Sequence, residues 1–339
     1  MPAILKRKEM EQAFIDNIFK IRDLKTFRAA ALEVFNYQAV HTPVYRDYLA
    51  ALGTDASRVR EPEEIPFLPI EFFKSHSVIG EGKSAELIFE SSGTTGTTPS
   101  SHHVCDTQIY RESFLRSFNA SYGSPEDLCI LALLPSYLER ESSSLVYMMG
   151  QLISWSKHPD SGFYLDQLGE LSAILEKRNN DSHSTLLLGV SFALLDLAEQ
   201  YPMPLWNNIR VMETGGMKGR RQEMVRSELH DALIQAFDLD IVHSEYGMTE
   251  LLSQAYSGGD GLFKTPSWMK VLVRDPNDPL SLLPLGQSGG LNIIDLANLY
   301  SCSFIATADL GKVYEDGSFE VLGRYDHSDI RGCNLLLNE

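Results

Sequence analysis

Residues 87–101 read Leu87-Ile88-Phe89-Glu90-Ser91-Ser92-Gly93-Thr94-Thr95-Gly96-Thr97-Thr98-Pro99-Ser100-Ser101. A short apolar run hands over to a dense mixture of glycine and hydroxyl residues. Glycines let a backbone approach a phosphate closely, exposed N–H groups form an anion-binding concavity, and Ser and Thr hydroxyls add donors that can reach a metal. No Gly-Lys-[Ser/Thr] ends the run, so it is not a Walker-type loop. Composition alone also fits a flexible Ser/Thr/Gly linker.

Outward from this loop the chain alternates strand and helix. Leu128 to Leu134 is a continuous apolar run stopped by Pro135, the pattern of a strand buried on both faces. Thr185 to Val190 is another, followed by a helical pattern from Phe192 to Gln200. Ile209 to Met212 and Asp240 to His243 read as short strands, and Arg221 to Phe237 as a helix with Met224, Leu229, Leu233 and Phe237 apolar. The alternation predicts an α/β fold with parallel strand pairs. Near the end, Lys312 to Tyr314 and Phe319 to Leu322 flank Glu315-Asp316-Gly317-Ser318, a hairpin signal that makes the C-terminal part β-rich. Ser257 to Gly261 and Gly286 to Gly290 read as loops.

Upstream, residues 1 to about 85 read as mostly helical. Phe14, Ile18 and Ile21 share a face, and a second helix runs from Thr26 to Gln38 until Pro43 breaks it. Pro62 to Pro69 reads as an irregular connector. The expected organisation is a helical region over 1–85 packed on the main domain, a core over 86–324, and a hinge with a short tail over 325–339.

The 339 residues carry 29 Lys and Arg against 46 Asp and Glu, a formal charge of −17, with 43% hydrophobic and 22% charged residues. Such an acidic surface repels phosphate backbones and anionic lipid, so neither nucleic acid nor membrane is an expected partner. An anionic ligand must be held by a local site. Cys105, Cys129, Cys302 and Cys333 are scattered with no C-x-x-C pair. That spacing argues against zinc and against a disulfide framework, and suits a reducing cytoplasm. No signal core or apolar run of membrane-spanning length is seen. His102 and His103 read as loop surface rather than as metal ligands.

Order turns these pieces into a pattern. Ser-Ser-Gly-Thr-Thr-Gly followed by Pro closely resembles the ATP-phosphate loop of the acyl-adenylate superfamily, which includes acyl-CoA ligases, luciferases and peptide-synthetase adenylation domains. That loop usually ends in Pro-Lys; here Ser100 follows Pro99, with one extra residue before the proline. Glu213-Thr214-Gly215-Gly216-Met217 is similar to the family's Gly-Gly segment, whose backbone lies against adenine. Glu245-Tyr246-Gly247-Met248-Thr249-Glu250 matches the family's Tyr-Gly-x-Thr-Glu at every defined position. Thr307-Ala308-Asp309 resembles Thr-Gly-Asp with alanine in the middle, and Gly323-Arg324-Tyr325-Asp326 resembles Gly-Arg-x-Asp.

The resemblance implies the large N-terminal domain of this superfamily, ATP or AMP bound with Mg²⁺, and activation of a small carboxylic acid. It implies that Ser91, Ser92, Gly93, Thr94, Thr95, Gly96 and Thr97 hold phosphate. It places Gly215, Gly216 and Tyr246 around adenine, Gly247 at the nucleotide, Thr249 on the α-phosphate, Glu250 on the metal, and Asp309 and Arg324 on ribose. Leu133-Leu134-Pro135-Ser136-Tyr137 falls where the family carries an acid-pocket motif, so Tyr137 is a substrate candidate; Pro135 could equally end a strand.

The full-length superfamily continues into a C-terminal domain bearing a transition-state lysine; with 13 residues after Asp326, that lysine is not expected here. The chain is similar to LuxE-type acyl-protein synthetases, and through Leu68 to Lys74 to phenylacetate-CoA ligases. LuxE-type proteins end soon after the hinge motif and pass the acyl group to a cysteine near their own C-terminus. Here Cys333, beside Arg331, is the candidate acceptor, or else a small buried apolar residue. A CoA ligase completed by a partner domain and a non-catalytic nucleotide- or acyl-binding module are the two alternatives.

Overall fold

A computed structural model describes residues 12, 14–91, 98–135, 142–215, 221 and 224–324. The helices used below are α1 (Leu24–His41), α2 (Pro43–Ala51), α3 (Phe72–Ser75), α4 (Thr107–Tyr122), α5 (Ser144–Ser156), α6 (Leu168–Asn179), α7 (Ser191–Gln200) and α8 (Arg226–Phe237). The strands are β1 (Leu68–Pro69), β2 (Leu87–Glu90), β3 (Ser101–Val104), β4 (Cys129–Leu133), β5 (Gly162–Phe163), β6 (Thr185–Val190) and β7 (Ile209–Thr214). They continue as β8 (His243–Tyr246), β9 (Ala255–Ser257), β10 (Phe263–Lys264), β11 (Met269–Arg274), β12 (Ser288–Asp295), β13 (Phe304–Val313) and β14 (Phe319–Arg324).

One mixed sheet organises the molecule, in the order β11-β12-β13-β14-β10-β9-β8-β7-β6-β4-β5, with β1 added parallel to β13. The half from β5 to β8 is parallel, its strands joined through α5, α6, α7 and α8. β4 and β6 are buried at every residue, as strands covered on both faces must be. The half from β9 to β11 is antiparallel. β8 is the seam: it pairs parallel with β7 and antiparallel with β9. Parallel pairing needs long crossovers, so the change to short hairpins marks where chain reversal replaces helix crossover.

The early helices are fastened to the far end of this sheet. Asp23 and Thr26 form a capping box that starts α1. Pro43 ends α1 as expected and also opens α2 at a position where its missing N–H costs nothing. Gln38 on α1 is fully buried; it donates to Asn298 O and Leu299 O, both at 2.9 Å, and accepts from Ser303 N at 2.9 Å. Tyr45 stacks on Phe304, and Phe35 meets the same ring edge-on.

Several sequence expectations need correction. The helix expected from Arg221 begins at Arg226, because Val225 is extended (ψ 150°), and Met224 is exposed. The strand expected over Asp240 to His243 instead begins at His243, since Asp238 turns the chain at φ 51° and pairing with β7 starts at Met212↔His243. Gly289 and Gly290 open β12 rather than lying in a loop; the Arg274 guanidinium packs where a Gly290 side chain would stand. Ser257 likewise closes β9. The connector over Pro62 to Pro69 contains a 3-10 turn and β1. His102 and His103 lie on β3, and His102 is 1% exposed.

Candidate active site

β8 alternates its side chains as a strand must, and that alternation divides the site into two faces. Tyr246 points to one. Its ring packs on Phe263 and Phe319, and its hydroxyl donates to Asp309 Oδ2 at 2.7 Å. Arg324 Nε donates to the other Asp309 oxygen at 3.2 Å. Burial, then the Asp309 charge, holds the Tyr246 phenol well above its usual range, so it serves as a donor. Asp309 and Arg324 face each other in the β13–β14 register, which is why two motifs far apart in sequence meet here.

Glu245 points to the opposite face, with Thr214 Oγ1 donating to its Oε2. Burial raises its pKa to about 7 against the Thr214 hydrogen bond. Glu213, one strand over, is also buried but accepts from Arg226 Nε at 3.1 Å and lies 3.8 Å from His230 Nε2. Burial pushes the Glu213 pKa up, but the His230 contact and the Arg226 charge outweigh it and hold the net value low. Gly215 follows this strand, its carbonyl accepting from Ser191 Oγ at 2.7 Å. Gly247, the first residue after β8, is exposed.

Beyond the seam, Thr249 and Glu250 are held by residues that motif reading alone does not single out. Ser100 Oγ donates to Glu250 Oε1. Burial raises the Glu250 pKa, and this hydrogen bond opposes the rise. His102 on β3 bridges Thr249 O at 2.9 Å and Ser301 Oγ at 2.9 Å. Asn298 Nδ2 donates to Glu250 O at 2.8 Å. Asp295, fully buried, accepts from Leu252 N and Ser253 N, both at 2.9 Å. The segment after the motif is therefore clamped from both the early hairpin and the 3-10 turn at Leu296–Asn298.

The phosphate-loop candidates divide. Ser91 Oγ accepts from Ser100 N at 2.9 Å and Ser91 N donates to Ser100 O at 3.0 Å, closing the β2–β3 hairpin at its neck. That neck brings Ser100 to Glu250. Ser92, Gly93, Thr94, Thr95, Gly96 and Thr97 lie outside the described residues, as do Gly216, Tyr137 and Cys333. Among the described residues no cluster of three or more His, Cys, Asp or Glu could hold a metal, and no helix is long and apolar enough to cross a membrane. Cys129 and Cys302 are buried, and burial raises their thiol pKa values to about 11 and about 12. Cys105 is half-buried and similarly raised.

No family model matches the chain. It is similar to the long-chain-fatty-acid–luciferin-component ligase of Vibrio harveyi, 22% identical over 331 residues covering 90% of this chain and 85% of that one. Among solved structures it is similar to 2-hydroxyisobutyryl-CoA ligase in an open conformation with 2-HIB-AMP and CoA. The TM-score is 0.64 at 15% identity, over 91% of this chain and 72% of that one. It is also similar to ATP-bound MatB from Rhodopseudomonas palustris, with TM-score 0.53 at 18% identity over 70% of this chain. The match spans 47% of the MatB chain, about half its length. The fold is that of the acyl-adenylate-forming ligases, with mixed strands flanked by helices, and the resemblance to them and to LuxE-type proteins is borne out. Of these proteins, MatB holds ATP and 2-hydroxyisobutyryl-CoA ligase holds 2-HIB-AMP and CoA in the structures matched.

Proposed function

We propose that this chain activates a carboxylic acid, fatty or aryl, as its acyl-AMP and then passes the acyl group to a thiol. A carboxylate oxygen attacks the α-phosphorus of ATP, the bond to the bridging oxygen breaks, and pyrophosphate leaves. A thiolate then attacks the acyl carbonyl, forming a thioester as AMP departs. No general base is needed in the first step because the nucleophile is already ionised; positioning and charge stabilisation do the chemistry.

The observation that carries this reading is the division of β8. Tyr246, Asp309 and Arg324 gather on one face and Glu245 on the other, with Thr249 and Glu250 just beyond the strand end. A nucleotide on the first face and an acid on the second would meet at Gly247 to Thr249. Ligands gather at the carboxyl ends of parallel strands for the same geometric reason. Tyr246 and Gly215 would border adenine, Asp309 and Arg324 would hold ribose, and Thr249 would reach the α-phosphate.

Glu250 suits Mg²⁺: it is a buried carboxylate held by one hydroxyl, with no basic side chain in ion-pair range among the described residues. A hard cation takes carboxylate oxygen and completes its shell with phosphate and water, which fits a site offering a single carboxylate. When bound, the ion would neutralise phosphate charge. The chain's own contribution is to hold Glu250 through Ser100 and Asn298.

For the acceptor, Cys333 is the candidate on this chain. CoA is the second reading, favoured by the structural likeness to a ligase crystallised with CoA. Acid-dependent ATP–pyrophosphate exchange, lost in Glu250→Ala, is the test of the first step. Exchange that persists in Glu250→Ala, or none with any acid, would sink it. Thioester labelling of wild type against Cys333→Ala, with and without CoA, assigns the acceptor.

A further inference from the structure

Glu245 is a buried carboxylate whose surroundings do not complete it. Among the described residues Thr214 alone donates to it, and only to Oε2; Oε1 accepts no hydrogen bond and the group has no ion pair. Its neighbour Glu213 has Arg226 and His230. Oε1 reaches to the exposed turn after β8: a Cβ built on Gly247 would lie 2.4 Å from it and 3.4 Å from Gln254 Cγ.

Two further polar atoms beside it are unpartnered. Gln254 Oε1 and Tyr256 Oη are buried with no hydrogen bond, in side chains 3% and 6% exposed. Tyr256 stands directly opposite Glu245 in the β8–β9 register, so both side chains share the face away from Asp309. Tyr110 on α4 donates to Ser144 O at 3.0 Å. Burial, and after it the Glu245 charge, holds Tyr110 and Tyr256 well above the usual phenol range.

Buried polar groups are normally paired, and an unpaired cluster calls for a missing partner. Gln254 Oε1 can only accept, the Glu245 carboxylate accepts when ionised, and Tyr256 Oη can donate or accept, so the missing partner must offer a donor and can take one, as a hydroxyl or amino group does. A wholly hydrocarbon acyl chain offers none.

We propose that Glu245, Gln254 and Tyr256 form a recognition point for a hydrogen-bond donor on the substrate, so that the acid carries a hydroxyl or amino group on its fatty or aryl body. This rests on the adenylation reading above for its reaction, and on the cluster alone for its specificity. Sites built to hydrogen-bond a ligand donor discriminate strongly against analogues that lack it, because the site's own groups are then left unpaired.

The test pairs binding with turnover. Decanoate and benzoate are compared with series of their hydroxy- and amino-substituted analogues by calorimetry in the presence of a non-hydrolysable ATP analogue. ATP–pyrophosphate exchange is measured with the same acids. Wild type should bind at least one substituted acid about tenfold or more tighter than its parent. Glu245→Leu should erase that preference, and Glu245→Gln should weaken amino acids of the series more than hydroxy acids. Should Glu245→Leu fail to fold, Gln254→Leu and Glu245→Gln carry the comparison. Equal or tighter binding of the parents, or a preference that survives these changes, overturns the proposal. Selective binding without any exchange would leave it standing and defeat the ligase reading instead.

Discussion

Tyr246 and Asp309 are 63 positions apart in the chain and joined by a 2.7 Å hydrogen bond, the tyrosine hydroxyl donating to Oδ2. Arg324 holds the other oxygen, so the carboxylate is fixed in plane from two sides. Removing the tyrosine donor leaves one buried oxygen unpaired. Tyr246→Phe is expected to cost about 1–2 kcal/mol of stability by denaturant unfolding. It should also weaken AMP binding by roughly fivefold, as an Asp309 free to rotate would lose its preset orientation. Unchanged AMP affinity would mean that Asp309 does not meet the nucleotide.

Ser100 is one of the contacts that favour the charged form of Glu250. Burial raises the Glu250 pKa and the Ser100 hydrogen bond opposes it. Ser100→Ala removes the opposing contribution, so the carboxyl becomes harder to ionise. The acid limb of the exchange activity should move to higher pH, with activity near neutrality down by about tenfold and recovering as pH rises. A pH profile parallel to wild type would show that Glu250 ionisation is not what limits the reaction.

His102 is buried between Thr249 O and Ser301 Oγ, and burial lowers its pKa to about 4. The unfolded chain, with histidine near its ordinary value of about 6.5, binds more protons between these values. The stability that the neutral ring contributes is therefore complete above about pH 6.5 and lost as pH falls through about 4, some 3 kcal/mol in all. Asp295 and Glu245 work in the opposite direction. Burial raises them to about 6 and about 7, so the folded state holds the extra proton and their contribution fades as pH rises. Wild-type stability alone would mix these slopes. The difference between wild type and His102→Gln, measured by urea unfolding from pH 4 to 7, should rise with pH; a flat difference would contradict a neutral buried ring.

What the sequence revealed depended on how local the signal was. Thr185 to Val190 reads as a strand and is one, because burial on both faces demands an unbroken apolar run. The Asp316-Gly317 hairpin follows equally from local turn chemistry. Boundaries fixed by pairing were not legible: β8 starts at His243 because Met212 lies beside it. His102 was misread for a related reason. A histidine after a Ser/Thr/Gly loop resembles surface, and only the fold brings Thr249 and Ser301 to its two nitrogens. Glu245 shows the same limit. The motif makes Tyr246 conspicuous and leaves its neighbour as filler, yet strand alternation sends that neighbour to the opposite face, where its role depends on Gln254 and Tyr256.

Gly247 separates the two faces and offers a sharp intervention. An alanine Cβ there would lie 2.4 Å from Glu245 Oε1, nearer than real contacts allow, and 3.4 Å from Gln254 Cγ. The first contact is to the far end of a flexible side chain, so the backbone need not move; the carboxyl must. None of the three nearest atoms belongs to Asp309 or Arg324, which gather with Tyr246 on the other face. Gly247→Ala should therefore cost no more than about 1–3 kcal/mol of stability. It should reduce the preference for hydroxy- or amino-substituted acids by about tenfold, and weaken AMP, which would meet the acid at Gly247 to Thr249, by clearly less than that. Calorimetry with AMP and with the acid series separates these effects. An equal loss of both ligands would mean that the substitution deforms the β8 turn as a whole, and that the two faces are not independent.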